Sequence, residues 1–317
     1  MKVLVTGASG FIGKSLCEEL VGQNKLVIAA VRVNYVEYAG VESRQVGEIE
    51  NTTDWSKILN NMSVVVHLAA RVHVMHDNAL NPLEEFRKVN VHGTLQLARE
   101  AAKAGVKRFI FVSSIKVNGE SSEIGKPFTA ADLPSPQDAY GISKLEAEQG
   151  LKLIAQQTGM EVVIIRPPLV YGDGVKANFA NMLRMTKRSI PLPFGAIHNK
   201  RSFVFIGNLV SLIVRCIEHP NAANQTFLVS DGCDLSTTQL LRACAAALGV
   251  ETRIFSVPKK LIEVVAAILG KQDVAQRLCG NLQVDISKAR ALLDWAPPFT
   301  VEEGLRITAN GFNKVNK

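Results

Sequence analysis

Tyr140 and Lys144, in the segment Tyr140-Gly141-Ile142-Ser143-Lys144, stand one helical turn apart on one helix face. A free phenol titrates near about 10 and is a poor proton shuttle at neutral pH. An ammonium beside it favours the phenolate and brings it into acid–base use. Ser113-Ser114 follows an apolar run and offers a hydroxyl that can orient a carbonyl oxygen. Tyr and Lys at this spacing also occur on ordinary solvated helix faces. The set gains meaning only from the elements around it.

A third constellation opens the chain. Val3-Leu4-Val5-Thr6-Gly7-Ala8-Ser9-Gly10-Phe11-Ile12-Gly13 reads as strand, turn and helix. Gly7 permits a tight turn, Gly10 lets the backbone approach a pyrophosphate, and Gly13 lets the helix pack on the strand. The phosphates would then meet the free N–H groups of the helix N-terminus. This context points to a dinucleotide. The next strand ends Ala29-Ala30-Val31-Arg32-Val33, with no carboxylate for the ribose hydroxyls. Arg32 can instead pair with a 2′-phosphate, which favours NADP(H) and leaves NAD(H) open. A solvated surface arginine is the plain alternative.

These residues need a frame. Apolar runs at Lys2–Thr6, Leu26–Val31, Val64–Ala69, Arg108–Ser113 and Glu161–Arg166 read as strands. Helical patterns cover Ser15–Gly22, Glu84–Ala104 and Tyr140–Thr158. Continuous apolar strands with helices between them suit a parallel sheet buried on both faces. The expected fold is α/β, a doubly wound parallel sheet of Rossmann type, with a smaller interleaved C-terminal substrate domain. Residues 1–166 form the dinucleotide-binding part and 167–317 mainly the substrate region. After Arg166, Pro and Gly punctuate the chain. Helices are expected at Asn178–Thr186, Val210–Glu218, Thr238–Leu248 and Leu261–Leu269. A segment around 200–218, with a strand near Ser202–Phe205, is expected to return to the main sheet.

Composition bounds the function. The 317 residues are 47% hydrophobic and 21% charged, which excludes disordered, collagen-like and coiled-coil classes. The net charge of +7 is spread with no basic run longer than two, so no nucleic-acid partner is expected. Five widely spaced cysteines without a CxxC pair suit reduced thiols. The N-terminal apolar stretch is too short for a signal peptide. Leu261–Leu269 contains Glu263, is too short to span a bilayer, and reads as core or an oligomer contact. A cytoplasmic protein without membrane insertion is expected. His73 and His76 lack a supporting ligand cluster, so no metal is expected.

In the order TGxxGFIG, Ser-Ser, YxxxK, the chain resembles the extended short-chain dehydrogenase/reductase family along nearly its whole length. It is most similar to the nucleotide-sugar 4-epimerases and 4-ketoreductases. Further segments carry the match: His67-Leu68-Ala69-Ala70, Val89-Asn90-Val91-His92-Gly93-Thr94, Pro134-Ser135-Pro136-Gln137-Asp138-Ala139-Tyr140 and Arg201-Ser202-Phe203-Val204-Phe205-Ile206-Gly207-Asn208-Leu209. The resemblance implies Ser114, Tyr140 and Lys144 as catalytic residues. It implies cofactor contacts from Gly7, Gly10, Phe11, Ile12, Gly13, Arg32, Glu48, Ile49, Leu68, Ala69, Ala70, Asn90, Tyr140, Lys144 and Pro167. It implies contacts to a UDP-sugar from Ser114, Tyr140, Asn178, Leu192, Phe194 and Arg201, with the backbone at Leu192 and Phe194 meeting the uracil. A homodimer built on the helices at 84–104 and 140–158 is also implied.

Two positions depart from the epimerases within that group. Val31-Arg32 stands where NAD-retaining epimerases carry an acidic residue, and Leu169 stands where many relatives carry Asn. With Ile115-Lys116-Val117-Asn118-Gly119-Glu120, they turn the expectation toward NADP(H)-dependent reduction of a UDP-4-keto-6-deoxy-N-acetylhexosamine for surface polysaccharide. NAD-dependent 4-epimerisation of UDP-glucose or UDP-N-acetylglucosamine is the alternative.

Overall fold

Apolar runs become strands that alternate their side chains between two cores. In the computed structural model, which describes residues 1–33, 38–72 and 81–315, Val3 and Val5 pack with Leu16, Leu209 and Ile213 on one face. Leu4, Ile28 and Val65 pack with Trp55, Leu97 and Leu151 on the other. The first half runs β1 (Lys2–Thr6), α1 (Phe11–Gly22), β2 (Leu26–Val31), β3 (Val41–Gln45), α2 (Ser56–Leu59) and β4 (Val64–His67). It continues with α3 (Pro82–Arg87), α4 (Thr94–Lys103), β5 (Arg108–Val112), α5 (Ala139–Thr158) and β6 (Glu161–Arg166). The second part holds β7 (Leu169–Tyr171), α6 (Ala177–Lys187), β8 (Phe203–Phe205), α7 (Ile206–Glu218), β9 (Thr226–Leu228) and α8 (Thr237–Leu248). It ends with α9 (Lys259–Ile268), α10 (Gln272–Cys279), α11 (Ser287–Leu293) and α12 (Val301–Val315).

The main sheet has the order β3-β2-β1-β4-β5-β6-β9, and every pair in it is parallel. The strand order reverses between β1 and β4. Ligands of such sheets bind beyond the strand C-termini at that switch point. The turn after β1 and the segment 68–70 after β4 therefore open on one crevice.

Three expectations change. The strand near Ser202–Phe205 does not rejoin the main sheet. It is β8, and it pairs with β7 in a separate two-stranded sheet. The edge beside β6 is taken by β9, through Ile164↔Thr226 to Arg166↔Leu228. The returning segment thus supplies α7 as a layer and β9 as the seventh strand. The helix expected at 84–104 is interrupted by a π-helical stretch, Lys88–Gly93, between α3 and α4. At Gly93 a Cβ would lie 2.8 Å from the Ile49 carbonyl oxygen, so the wide turn and the glycine admit a close approach there. Finally, the Leu261–Leu269 stripe is not core, because no residue of α9 is buried.

The cap over the crevice is held by single bridges rather than ladders: Phe128–Val284, Leu192–Ile254, Arg201–Leu235 and Arg201–Leu282. All five cysteines are free thiols. Among the described residues, no helix is long and apolar enough to cross a membrane. His73 and His76 lie outside the described residues.

Candidate active site

The glycine turn is shaped as a cradle. Gly7 adopts φ +67°, and a Cβ there would meet the Ala69 nitrogen at 2.8 Å. A Cβ on Gly13 would stand 2.2 Å from the Gly7 carbonyl oxygen, so only hydrogen fits. Gly10 begins α1 without any side-chain cap. The first-turn N–H groups at Phe11, Ile12 and Gly13 thus face outward without an intrahelical acceptor. These orphan donors at the dipole's positive end fit a pyrophosphate. Leu68, Ala69 and Ala70, all half-buried, run past the turn.

Beneath the turn lies a buried polar chain. Thr6 Oγ1 is hydrogen-bonded to His67 Nδ1 at 2.7 Å, and His67 Nε2 to Thr94 Oγ1 at 2.9 Å. Burial, aided by the charge of Lys144, brings His67 down to about 3, so the ring stays neutral at working pH. The Ala69 N–H donates to Thr6 Oγ1 at 3.3 Å. Asn90, in the π-helical stretch, accepts from the Arg71 N–H at 2.8 Å and donates to Arg71 O and Ser143 Oγ at 3.0 Å. Its amide is thereby committed to fixing the 68–71 strip against α5.

Asp138 starts α5 by accepting the Gly141 N–H at 2.7 Å. Its other oxygen accepts from Lys116 Nζ at 2.5 Å, which ties the loop after Ser114 to the turn that carries Tyr140. The two adjacent serines separate. Ser113 is buried and donates to Glu148 Oε1 at 2.5 Å, while Ser114 is half-buried and only caps the short turn through Lys116 N at 3.3 Å. Glu148, one turn beyond Lys144, forms a fully buried two-point pair with Arg166, 2.9 and 2.6 Å. Arg166 also donates to Asn118 Oδ1 at 2.9 Å. Pro167, buried beyond β6, accepts the Ile115 N–H at 2.9 Å.

Lys144 is 2% exposed, with Nζ 4.1 Å from the Phe111 ring centroid and no ion pair among the described residues. Burial brings its ammonium down to about 7, against the opposing pull of Glu148. Burial also pushes the Tyr140 phenol up to about 12, with Asp138 adding to the rise. The expected lowering of the phenol by Lys144 is therefore not what the protein alone produces. A low-dielectric cleft drives both groups toward their neutral forms.

At the adenosine end, Arg32 and Glu48 are both exposed and lie 3.4 Å apart, and Ile49 is buried against Gly93. In the cap, Arg201 is half-buried and donates to Gly280 O at 3.1 Å. Burial brings its guanidinium down to about 10; Glu120 opposes that and Arg277 adds to it. Arg277, exposed on α10, is thus a second guanidinium near the first. Sequence reasoning missed it, since a lone arginine on an amphipathic helix carries no signal. Glu148 was missed as well. Asn178 is exposed in the first turn of α6. Leu192 pairs with the segment ahead of α9: its N–H donates to Arg253 O and its C=O accepts from Phe255 N. Its N–H is thus committed to the 253–255 segment, while its carbonyl keeps one acceptor position. Phe194 is half-buried, with its carbonyl accepting from Thr238 Oγ1 at 2.5 Å.

Residues 3–230 match the model of the NAD dependent epimerase/dehydratase family. A Vibrio cholerae protein named UDP-glucose 4-epimerase is 48% identical over 315 residues, covering 99% of this chain and 96% of that one. An Escherichia coli dTDP-4-dehydro-6-deoxyglucose reductase is 25% identical over 324 residues, covering 96% and 95%. The solved Bacillus cereus UDP-glucuronic acid 4-epimerase in complex with NAD shares the fold at TM-score 0.80 and 22% identity, covering both chains fully.

Proposed function

The chain is an enzyme of the NAD dependent epimerase/dehydratase family, and from that premise we propose that it is a UDP-hexose 4-epimerase that retains NAD. The observation that carries this reading is 48% identity, over 99% of the chain, to the Vibrio cholerae protein of that name. It favours epimerisation over the expected reduction, which drew on Arg32, Leu169 and the stretch Ile115–Glu120. The Glu48 carboxylate beside Arg32 supports NAD as well. It offers the adenosine ribose an acceptor and opposes a 2′-phosphate by charge.

Gly7, Gly10 and Gly13 would hold the pyrophosphate, with Leu68–Ala70 and Asn90 bordering the nicotinamide half. When bound, the dinucleotide would supply the hydride acceptor and donor that epimerisation at sugar C4 requires. Tyr140 takes the C4 hydroxyl proton and later gives it back to the oxygen of the 4-keto sugar. Ser114, free of the Glu148 network, holds that oxygen. Bound anions favour the charged form of Lys144, and a charged Lys144 in turn makes the phenolate of Tyr140 accessible. Arg201 and Arg277 would clamp the sugar diphosphate. The homodimer implied by the resemblance belongs to the same proposal.

Purified protein given UDP-glucose and no added cofactor should form UDP-galactose. The reductase reading keeps one favouring observation, the lack of a carboxylate at the end of β2. Under it, NADPH would be consumed in proportion to an added UDP-4-keto-6-deoxy-N-acetylhexosamine, and UDP-glucose would remain unchanged.

A further inference from the structure

Helix α9 presents an apolar stripe that no described part of the chain covers. Leu261, Val264, Val265, Ile268 and Leu269 recur at the spacing of a core-facing helix, yet they are 46–79% exposed. Val274 on α10 and Phe255 ahead of α9 add exposed apolar surface. Leu261, Val265 and Leu269 also line a groove of about 360 Å³ against Phe194 and Leu278. A stripe of this size on a surface helix marks an interaction site.

Charge selects the occupant. Lys259 and Lys260 open the helix and Lys271 follows it, while Lys259 lies 3.5 Å from Glu263. Residues 251–279 hold five Lys and Arg against three Asp and Glu, in a chain of net +7. A second copy packed antiparallel across a two-fold axis would set the Lys259–Lys260 end of one helix against the Lys271 end of the other, like charge against like. Anionic headgroups would neutralise them. The ten residues of α9 extend about 15 Å, roughly half of a hydrocarbon core of about 30 Å. The helix can lie on a bilayer but cannot cross it. We infer that α9 seats the cap on an anionic membrane surface, with its apolar stripe at the headgroup–acyl boundary and Lys259, Lys260 and Lys271 on the headgroups.

The test is co-sedimentation of the full chain with phosphatidylcholine vesicles, with and without phosphatidylglycerol, at low and high salt. Val264 and Ile268 point away from the groove lining, and no residue of α9 is buried, so charging them leaves the core intact. The expected result is binding to the anionic vesicles that weakens with salt. The V264E/I268E double variant should lower the bound-to-free ratio by about tenfold or more, with unchanged turnover of a soluble nucleotide sugar. K259E/K260E should lose the preference for anionic vesicles. Failure to bind vesicles overturns the inference, as does binding that V264E/I268E leaves intact. A change of oligomeric state in V264E/I268E without vesicle binding also overturns it and makes a second copy the occupant.

Discussion

The two halves of the molecule hold the cations proposed for the site in opposite ways. Lys144 lies deep in the Rossmann half, fully buried on α5, which packs on the sheet. Arg201 and Arg277 belong to the cap, one half-buried and one exposed, on segments joined by single bridges. A seven-stranded ladder fixes its site residues before any ligand arrives. Isolated bridges leave the cap free to adjust at smaller cost. Substitutions in the scaffold should therefore act on turnover and stability, and substitutions in the cap on affinity.

The largest effect tests the scaffold side. Tyr140→Phe removes the proposed proton shuttle and leaves the ring packing near Phe86, whose centroid lies 6.0 Å away. Turnover should fall by about 10²–10⁴-fold, while circular dichroism and substrate affinity hold. Arg166→Met comes next. It strands the buried Glu148 carboxylate and should lower unfolding stability in urea by about 3–5 kcal/mol. Arg277→Ala should raise KM about tenfold, on the scale of one charge-assisted contact, with stability and kcat nearly unchanged. If Arg277→Ala lowered kcat and left KM alone, the division between the halves would fail.

A smaller, continuous effect follows from Lys144. In the unfolded chain its ammonium keeps its proton to about 10.5, whereas burial brings the folded value down to about 7. Between these values Lys144 holds its proton only in the unfolded state, so its contribution to stability rises with pH. Cofactor-stripped protein should gain on the order of 1 kcal/mol per pH unit between about 7 and 8.5, below the range where the buried thiols of Cys17, Cys216 and Cys244, raised from 9.0 to about 12, act in the opposite sense, and Lys144→Met should flatten the profile there. A wild-type profile already flat over that window would show that Lys144 is solvated.

Much of the scaffold is legible in the residues because physics repeats itself there. Lys2–Thr6, Leu26–Val31 and Glu161–Arg166 are strands at the bounds their apolar runs suggest. The edge strand β3, Val-Glu-Ser-Arg-Gln, is polar and mostly exposed, and β9 is three residues long, so neither carries a pattern. The break at Lys88–Gly93 is set by the Ile49 loop, a contact 44 positions upstream of Gly93 that no local spacing encodes. The roles of the two serines also depend on tertiary partners. Only the buried Glu148–Arg166 pair shows that Ser113 belongs to the frame and leaves Ser114 outside it. Burial, which sets Tyr140 and Lys144 toward neutrality, is likewise invisible in a four-residue spacing.

In the proposed epimerisation a hydride leaves sugar C4 and returns to the same carbon within one protein. UDP-glucose carrying deuterium at C4, incubated with the protein and no added cofactor, tests it directly. The expected product is UDP-galactose with the deuterium still at C4 and no accumulation of reduced dinucleotide. Absence of the galacto epimer, together with stoichiometric NADPH consumption on a UDP-4-keto sugar, would contradict it.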